Sequence, residues 1–314
     1  MTMHDSPGTD RVRTPSEGVF FADGLVTLYC GSADQVLAGI PAGSVDCIVT
    51  SPPYYGLRDY QIEGQTGIEP TPAGYIEALA VVFAQARRVL ADHGTLWLVL
   101  GDSYSTKKRG SDNGWESSRL SNPARVQKMQ SAAMRQGRVV CFDRKAKNLL
   151  GMPWRVAFAL QDQGWILRNE IVWAKSNPMP ESVTDRLSCS HEKVFLFSKA
   201  NRYHFNKSAV GRNPGDVWVI PTVPFAGAHF AVFPPELPRR AIAAGCRPGG
   251  VVLDMFSGSG TTGLAAAELG HRYVGVDLNP AYLELSLRTR LEQPSLTAQA
   301  NAAIVNEYDN KKGA

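Results

Sequence analysis

Two short stretches of this chain combine residue types that can do chemistry. Thr50-Ser51-Pro52-Pro53-Tyr54 sets a hydroxyl, a tandem proline and an aromatic ring side by side. The prolines fix the local backbone and remove two N–H donors, which leaves carbonyls free to accept hydrogen bonds. Such a group suits an exocyclic amino group on a flat ring. The nitrogen of that amino group is a poor nucleophile, because its lone pair is delocalised into the ring. Accepting its protons at Ser51 Oγ and at the Pro52 carbonyl localises the pair and aims it. Tyr54 can stack on the ring face and hold it for in-line transfer. By itself the stretch also reads as a proline-rich strand end with Tyr54 as ordinary packing.

The second stretch, Asp254-Met255-Phe256-Ser257-Gly258-Ser259-Gly260-Thr261-Thr262, lies far along the chain. Small residues after an apolar strand let the backbone turn sharply and come close to a ligand. A helix that begins near Thr261 presents free N–H groups towards it. Asp277, followed by Leu278 and Asn279, closes the next strand, where nucleotide-binding sheets commonly hold ribose hydroxyls. No Gly-Lys-Ser/Thr follows, so this is not a phosphate loop, and Gly258, Gly260 and Gly263 depart from the dinucleotide pattern. An Asp two residues before an aromatic fits S-adenosylmethionine, whose ammonium group Asp254 can meet while Asp277 meets the ribose. The plainer reading of this stretch alone is a tight strand-to-helix turn.

The elements that must position these residues follow from the apolar pattern. Residues 45–49 form an apolar strand ending at Ser51, and 251–255, 261–269 and 272–277 read as a strand–helix–strand unit. Further strands are expected at 26–30, 95–100, 166–173 and 193–198, the last two pairing as an antiparallel edge. Helices are expected near 35–38, 75–90, 152–163, 236–244 and 281–291, with a polar turn at Asp92-His93-Gly94. Strands that are apolar throughout, alternating with helices, predict an α/β fold with a mostly parallel sheet covered on both faces.

Bulk properties narrow the classes. The chain has 314 residues, 44% hydrophobic and 20% charged, as in an ordinary globular protein. One domain over 17–294 is expected, with polar tails at 1–16 and 295–314. No apolar run has signal-peptide or membrane-spanning character, which predicts a cytoplasmic protein without a membrane partner. Five cysteines lie far apart with no CxxC pair, so neither a zinc site nor a disulfide framework is indicated, and no metal is expected. The net charge is +4, yet residues 103–147 hold eleven Lys or Arg against three Asp or Glu, or +8. The rest of the chain is therefore −4. Such a segment reads as a polyanion contact or as a solvated loop. An irregular connection this long usually has a functional reason.

The two motifs, in this order, resemble the amino-methylating DNA methyltransferases of the permuted, beta-type arrangement. The resemblance implies a doubly wound, mostly parallel seven-stranded sheet with an antiparallel edge. Ser51, Pro52, Pro53 and Tyr54 match its catalytic motif. Asp254, Phe256, Gly258, Ser259, Gly260, Thr261 and Thr262 match its cofactor loop, with Asp277, Leu278 and Asn279 as the acidic partner. Phe233, within 229–234, matches the segment at the methionine end of the cofactor. Residues 171–175 and 190–193 resemble strand edges of this group. Related sequences often have Gly-Asp after the first strand, whereas Gly31 is followed here by Ser32, and no role is assigned there.

The implied activity is transfer of a methyl group from S-adenosylmethionine to a base flipped out of double-stranded DNA. Protein- and RNA-modifying look-alikes carry their Pro-Pro motif after the cofactor loop. No Pro-Cys dipeptide is present, which argues against covalent cytosine-5 chemistry. Ser51, where related adenine enzymes mostly carry Asp, favours cytosine N4, with adenine N6 as the alternative. A non-catalytic DNA-binding protein of this fold is a third reading, against which both intact motifs speak. Lys107, Lys108, Arg109, Arg144, Lys145 and Lys147 are candidate phosphate contacts. The usual recognition region is short (200–227), so the 103–147 insertion can share or take over that task. A cognate restriction endonuclease and a homodimer are left open.

Overall fold

A computed structural model describes residues 18–105, 145–223 and 232–291. Nine strands form one sheet among them: β1 (Val19–Ala22), β2 (Val26–Cys30), β3 (Val45–Thr50), β4 (Leu90–Leu100), β5 (Ile166–Ala174), β6 (His191–Ser198), β7 (Val217–Val219), β8 (Val251–Asp254) and β9 (Arg272–Asp277). Their spatial order is β1-β2-β9-β8-β3-β4-β6-β5-β7. Neighbours from β2 to β4 pair in parallel, while β6 runs antiparallel to both β4 and β5.

Each residue of β3 is buried, as a strand with helices on both faces requires. One core packs α1 (Ala33–Gly39), α2 (Pro72–Val89) and α3 (Met152–Asp162) on one face, through residues such as Leu37, Leu79 and Val156. The other face carries α4 (Glu236–Gly245), α5 (Thr261–Glu268) and α6 (Pro280–Ser286), through Leu237, Ala265 and Leu283. Local signals set the helix starts. Pro72 stands in the first turn of α2 and the Thr71 side chain accepts from Gly74 N at 3.1 Å. A π-helical turn, Leu287–Leu291, continues α6.

Three expectations are corrected. Two short strands, β1 and β7, extend the expected seven to nine. Because β7 pairs in parallel with β5, the β5–β6 pair is not the edge of the sheet. A three-residue strand is too short to show a period. Trp218 anchors it by stacking on Trp97 at 5.9 Å. Asp92-His93-Gly94 is not a turn but part of β4, where the register with β3 is irregular. His93 Nε2 meets Asp46 Oδ1 there at 2.8 Å.

The parallel strands open their carboxyl ends on one edge, and antiparallel β6 brings its amino end, with Glu192, to the same edge. The ends of the basic insertion also meet there, just past β4. Ser105 N donates to Asn148 O and Leu150 N to Ser103 O, both at 2.9 Å. Part of the short 200–227 region runs at the opposite edge. His204 N donates to His93 O at 2.8 Å, and the chain returns along β7. Among the described residues no helix is long and apolar enough to cross a membrane.

Candidate active site

Strands β3 and β8 pair directly, Cys47 with Val252 and Ile48 with Leu253, so the two motifs leave the sheet side by side. Thr50 Oγ1 donates to Asp254 Oδ1 at 2.7 Å, joining residues 204 positions apart. The two loops then wall a single cavity of about 480 Å³. Its lining includes Ser51, Pro52, Pro53 and Tyr54 from the first motif and Asp254, Phe256, Gly258, Ser259 and Thr261 from the second. Asp277, Leu278, Asn279 and Phe233 line it as well.

Gly260 and Thr262 do not line the wall and shape the loop from behind. Gly260 caps α5 with φ +75°, and a Cβ there would come 2.8 Å from Ser286 Cβ. Thr262 Oγ1 donates to Asp254 Oδ2 at 2.7 Å.

The carboxylates of this loop are held by the protein itself. Asp254 Oδ1 also accepts from Phe256 N at 3.1 Å, so both its oxygens have inward partners. Burial still pushes its pKa up to about 6, against the opposing pull of Thr262 and Thr50. Asp277 accepts from Gly258 N at 2.7 Å and Asn279 N at 2.8 Å, and burial lifts it to about 6 as well. Other loop N–H groups are used internally: Ser257 N reaches Val276 O and Gly260 N reaches Ser257 O. That leaves fewer donors for a phosphate. Among the described residues the wall instead carries Asp34, Glu69, Asp254 and Asp277 against one cation, Arg58. This arrangement fits a phosphate-free, positively charged cofactor.

The first motif is equally fixed. Tyr75 Oη donates to Pro53 O at 2.9 Å and Leu57 N to Tyr54 O at 3.2 Å. The Tyr54 ring lies over Gly101 at the end of β4, so close that a Cβ there would sit 2.5 Å from Tyr54 Cε2. Its hydroxyl donates to Glu192 Oε2 at 2.5 Å, and Ser51 Oγ stands 3.5 Å from the same hydroxyl. Lys175 Nζ holds the other Glu192 oxygen at 2.6 Å. Burial first, and then the Glu192 charge, raise Tyr54 well above the ordinary phenol range, so it is a protonated donor.

Some wall residues carried no assigned role in the sequence reading. Gly31, Ser32 and Asp34 line the cavity at the start of α1, although Ser32 replaces the more usual Asp. Tyr60 and Tyr282 also reach the wall and meet edge-on at 6.3 Å. Glu192 was visible only as part of a strand edge, since no spacing reports contact with a residue that follows β3. Of the basic candidates, Lys107, Lys108, Arg109 and Arg144 lie outside the described residues. Lys145 and Lys147 stand at the base of the insertion, where Lys147 Nζ pairs with Asp185 on the surface.

Residues 45–288 match the model of the DNA methylase family N6_N4_Mtase. The chain belongs to that family. It is 45% identical over 288 residues to the Type II methyltransferase M.XycI of Xanthomonas campestris pv. cyanopsidis, covering 89% of this chain and 91% of that one. Identity to the Type II methyltransferase M.Cfr9I of Citrobacter freundii is also 45%, over 83% of this chain and 86% of that one. Among solved structures, the Thermus thermophilus protein TTHA0409, complexed with S-adenosyl-L-methionine, aligns with TM-score 0.56 at 26% identity, over 83% and 91% of the two chains. The PvuII DNA methyltransferase (cytosine-N4-specific) shares the fold, with TM-score 0.63 at 19% identity over 88% and 92%.

Proposed function

We propose that this methyltransferase moves a methyl group from S-adenosylmethionine directly to the N4 amino group of a cytosine flipped out of double-stranded DNA. The observation that carries the reading is the Thr50–Asp254 bond, which joins an amino-group clamp and a cofactor loop around one cavity. Asp277, Asp254, Phe256, Phe233 and the Gly258–Thr261 turn would hold the cofactor, which supplies an electrophilic methyl group on a sulfonium sulfur.

Ser51 Oγ and the Pro52 carbonyl accept hydrogen bonds from the N–H groups of the acceptor amino group and so keep its lone pair on nitrogen. Tyr54, clamped between Gly101 and Glu192, forms a fixed wall for the base. Flipping costs a few kcal/mol of stacking and pairing, which a cavity with aromatic walls can offset. None of the described cysteines lines the cavity, in keeping with direct rather than covalent transfer.

Cytosine rests on Ser51 in place of Asp. DNA is held in this reading by the insertion whose two ends meet at the carboxyl edge, with Lys107, Lys108, Arg109, Arg144, Lys145 and Lys147 on phosphates. The Type II relatives make a cognate restriction endonuclease the natural companion. Expression in a methylation-free host, followed by nucleoside mass spectrometry and modification-sensitive sequencing, tests the base, the atom and the target site together. N4-methylcytosine at one sequence is the expected product. N6-methyladenine would transfer the reading to adenine, and unmodified DNA would overturn it.

A further inference from the structure

Glu192 is tied to the clamp in a way that goes beyond packing. Its carboxylate crosses the end of β4 from β6 to reach Tyr54, with only 17% of its side chain exposed. Both of its oxygens are engaged, Oε2 by the Tyr54 hydroxyl at 2.5 Å and Oε1 by Lys175 Nζ at 2.6 Å. Lys175 is itself placed 5.1 Å from the centre of the Trp173 ring. A phenol has one proton to give. The short bond to a carboxylate takes it, because charge-assisted bonds are the stronger ones. In the longer contact of 3.5 Å with Ser51, the Tyr54 oxygen can then act only as acceptor.

We propose that Glu192 is a positioning residue that sets the direction of the hydrogen bonds through Tyr54 to Ser51. Ser51 gives its own proton to Tyr54 and turns its lone pairs towards the amino group that is to be methylated. The proposal rests on the amino-methylation reading above. Were Tyr54 free to donate to Ser51, it would occupy one of those lone pairs. The amino group, which must donate, would then meet a hydroxyl proton. Gly101 makes the reach possible, since any side chain there would block the ring on its way to β6.

Glu192→Gln tests this with nearly unchanged shape. Lys175 retains the amide oxygen, so the amide NH₂ faces Tyr54 and donates to it, and the phenol proton turns to Ser51. We expect kcat to fall about tenfold to a hundredfold, the scale of a hydrogen bond to a charged group. Affinity for cofactor should change by less than about twofold, which also reports that the variant is folded. Tyr54→Phe removes the phenol and should cost less, about threefold to tenfold.

The deciding measurement is the double variant. With no phenol to redirect, Glu192→Gln should add no further loss in the Tyr54→Phe background. A second readout is binding without cofactor. Wild type should prefer a duplex with the amino-bearing target base over one with that amino group replaced by hydrogen, and Glu192→Gln should lose the preference. Wild-type kcat in Glu192→Gln, or its full loss persisting alongside Tyr54→Phe, would overturn the proposal. If Glu192→Gln fails to bind cofactor, Tyr54→Phe decides alone, and wild-type kcat there overturns it. A wild-type enzyme that methylates no DNA amino group would sink the functional reading itself.

Discussion

Replacing Gly101 by Ala is a sharp test of how the clamp is built. Gly101 is not in the left-handed backbone region, so alanine meets no backbone penalty there. The obstacle is Tyr54. The new Cβ would lie 2.5 Å from Cε2 and 2.9 Å from Cδ2, whereas ordinary contact begins near 3.4 Å. The ring must therefore move by about 0.9 Å, the difference between 3.4 and 2.5 Å. Its hydroxyl is fixed to Glu192 and cannot slide without breaking that bond. Misplacing a positioning group by about 1 Å can cost on the order of a hundredfold in rate. Overpacking of this size costs roughly 1–3 kcal/mol of stability. Methyl transfer to DNA, cofactor titration and denaturant unfolding should be measured on one preparation. We expect kcat to fall by about two orders of magnitude, with cofactor affinity within about twofold of wild type. Unchanged kcat and stability would show that the ring is not held against Gly101, and the account of the clamp would be wrong.

Ser51→Ala and Tyr54→Ala should each reduce methyl transfer far more than cofactor affinity, and full activity in both would remove their assigned roles. Asp277 titrates at about 6, and its ionised form is the better acceptor for ribose hydroxyls. Cofactor affinity should thus weaken as pH falls below about 6, and Asp277→Asn should lessen that dependence, with Asp254, which also titrates at about 6, carrying the remainder; calorimetric titration across this range checks it. Thr262→Val removes a buried donor to Asp254 and should destabilise the fold by roughly 1–3 kcal/mol, measured by urea unfolding. Neutralising Lys107, Lys108 and Arg109 together should weaken DNA binding with cofactor binding intact. The salt dependence should flatten by about 0.9 for each phosphate that is no longer neutralised. Unchanged DNA affinity would remove that segment from the interface.

The local chemistry was legible because it is local. Tandem prolines after an apolar strand, or a glycine-rich turn before a helix, impose the same backbone wherever they occur. Burial patterns likewise placed β3, β8, β9 and most helices within a residue or two. The additional edge strands were not legible. Val217–Val219 is too short to show a period and forms because Trp218 finds Trp97 from a distant part of the chain.

By itself, then, the sequence determined which side chains could carry the proposed chemistry and that two loops at strand ends would present them. Only the tertiary structure decided which of them meet. It set β3 beside β8, so that Thr50 holds Asp254, and turned β6 antiparallel, so that Glu192 arrives at the carboxyl edge beside Tyr54. It also placed part of the 200–227 region at the far edge, away from the cavity. The reason is physical: a motif specifies the conformation of its own few residues, whereas strand order and direction are settled by burying both faces of one sheet at once.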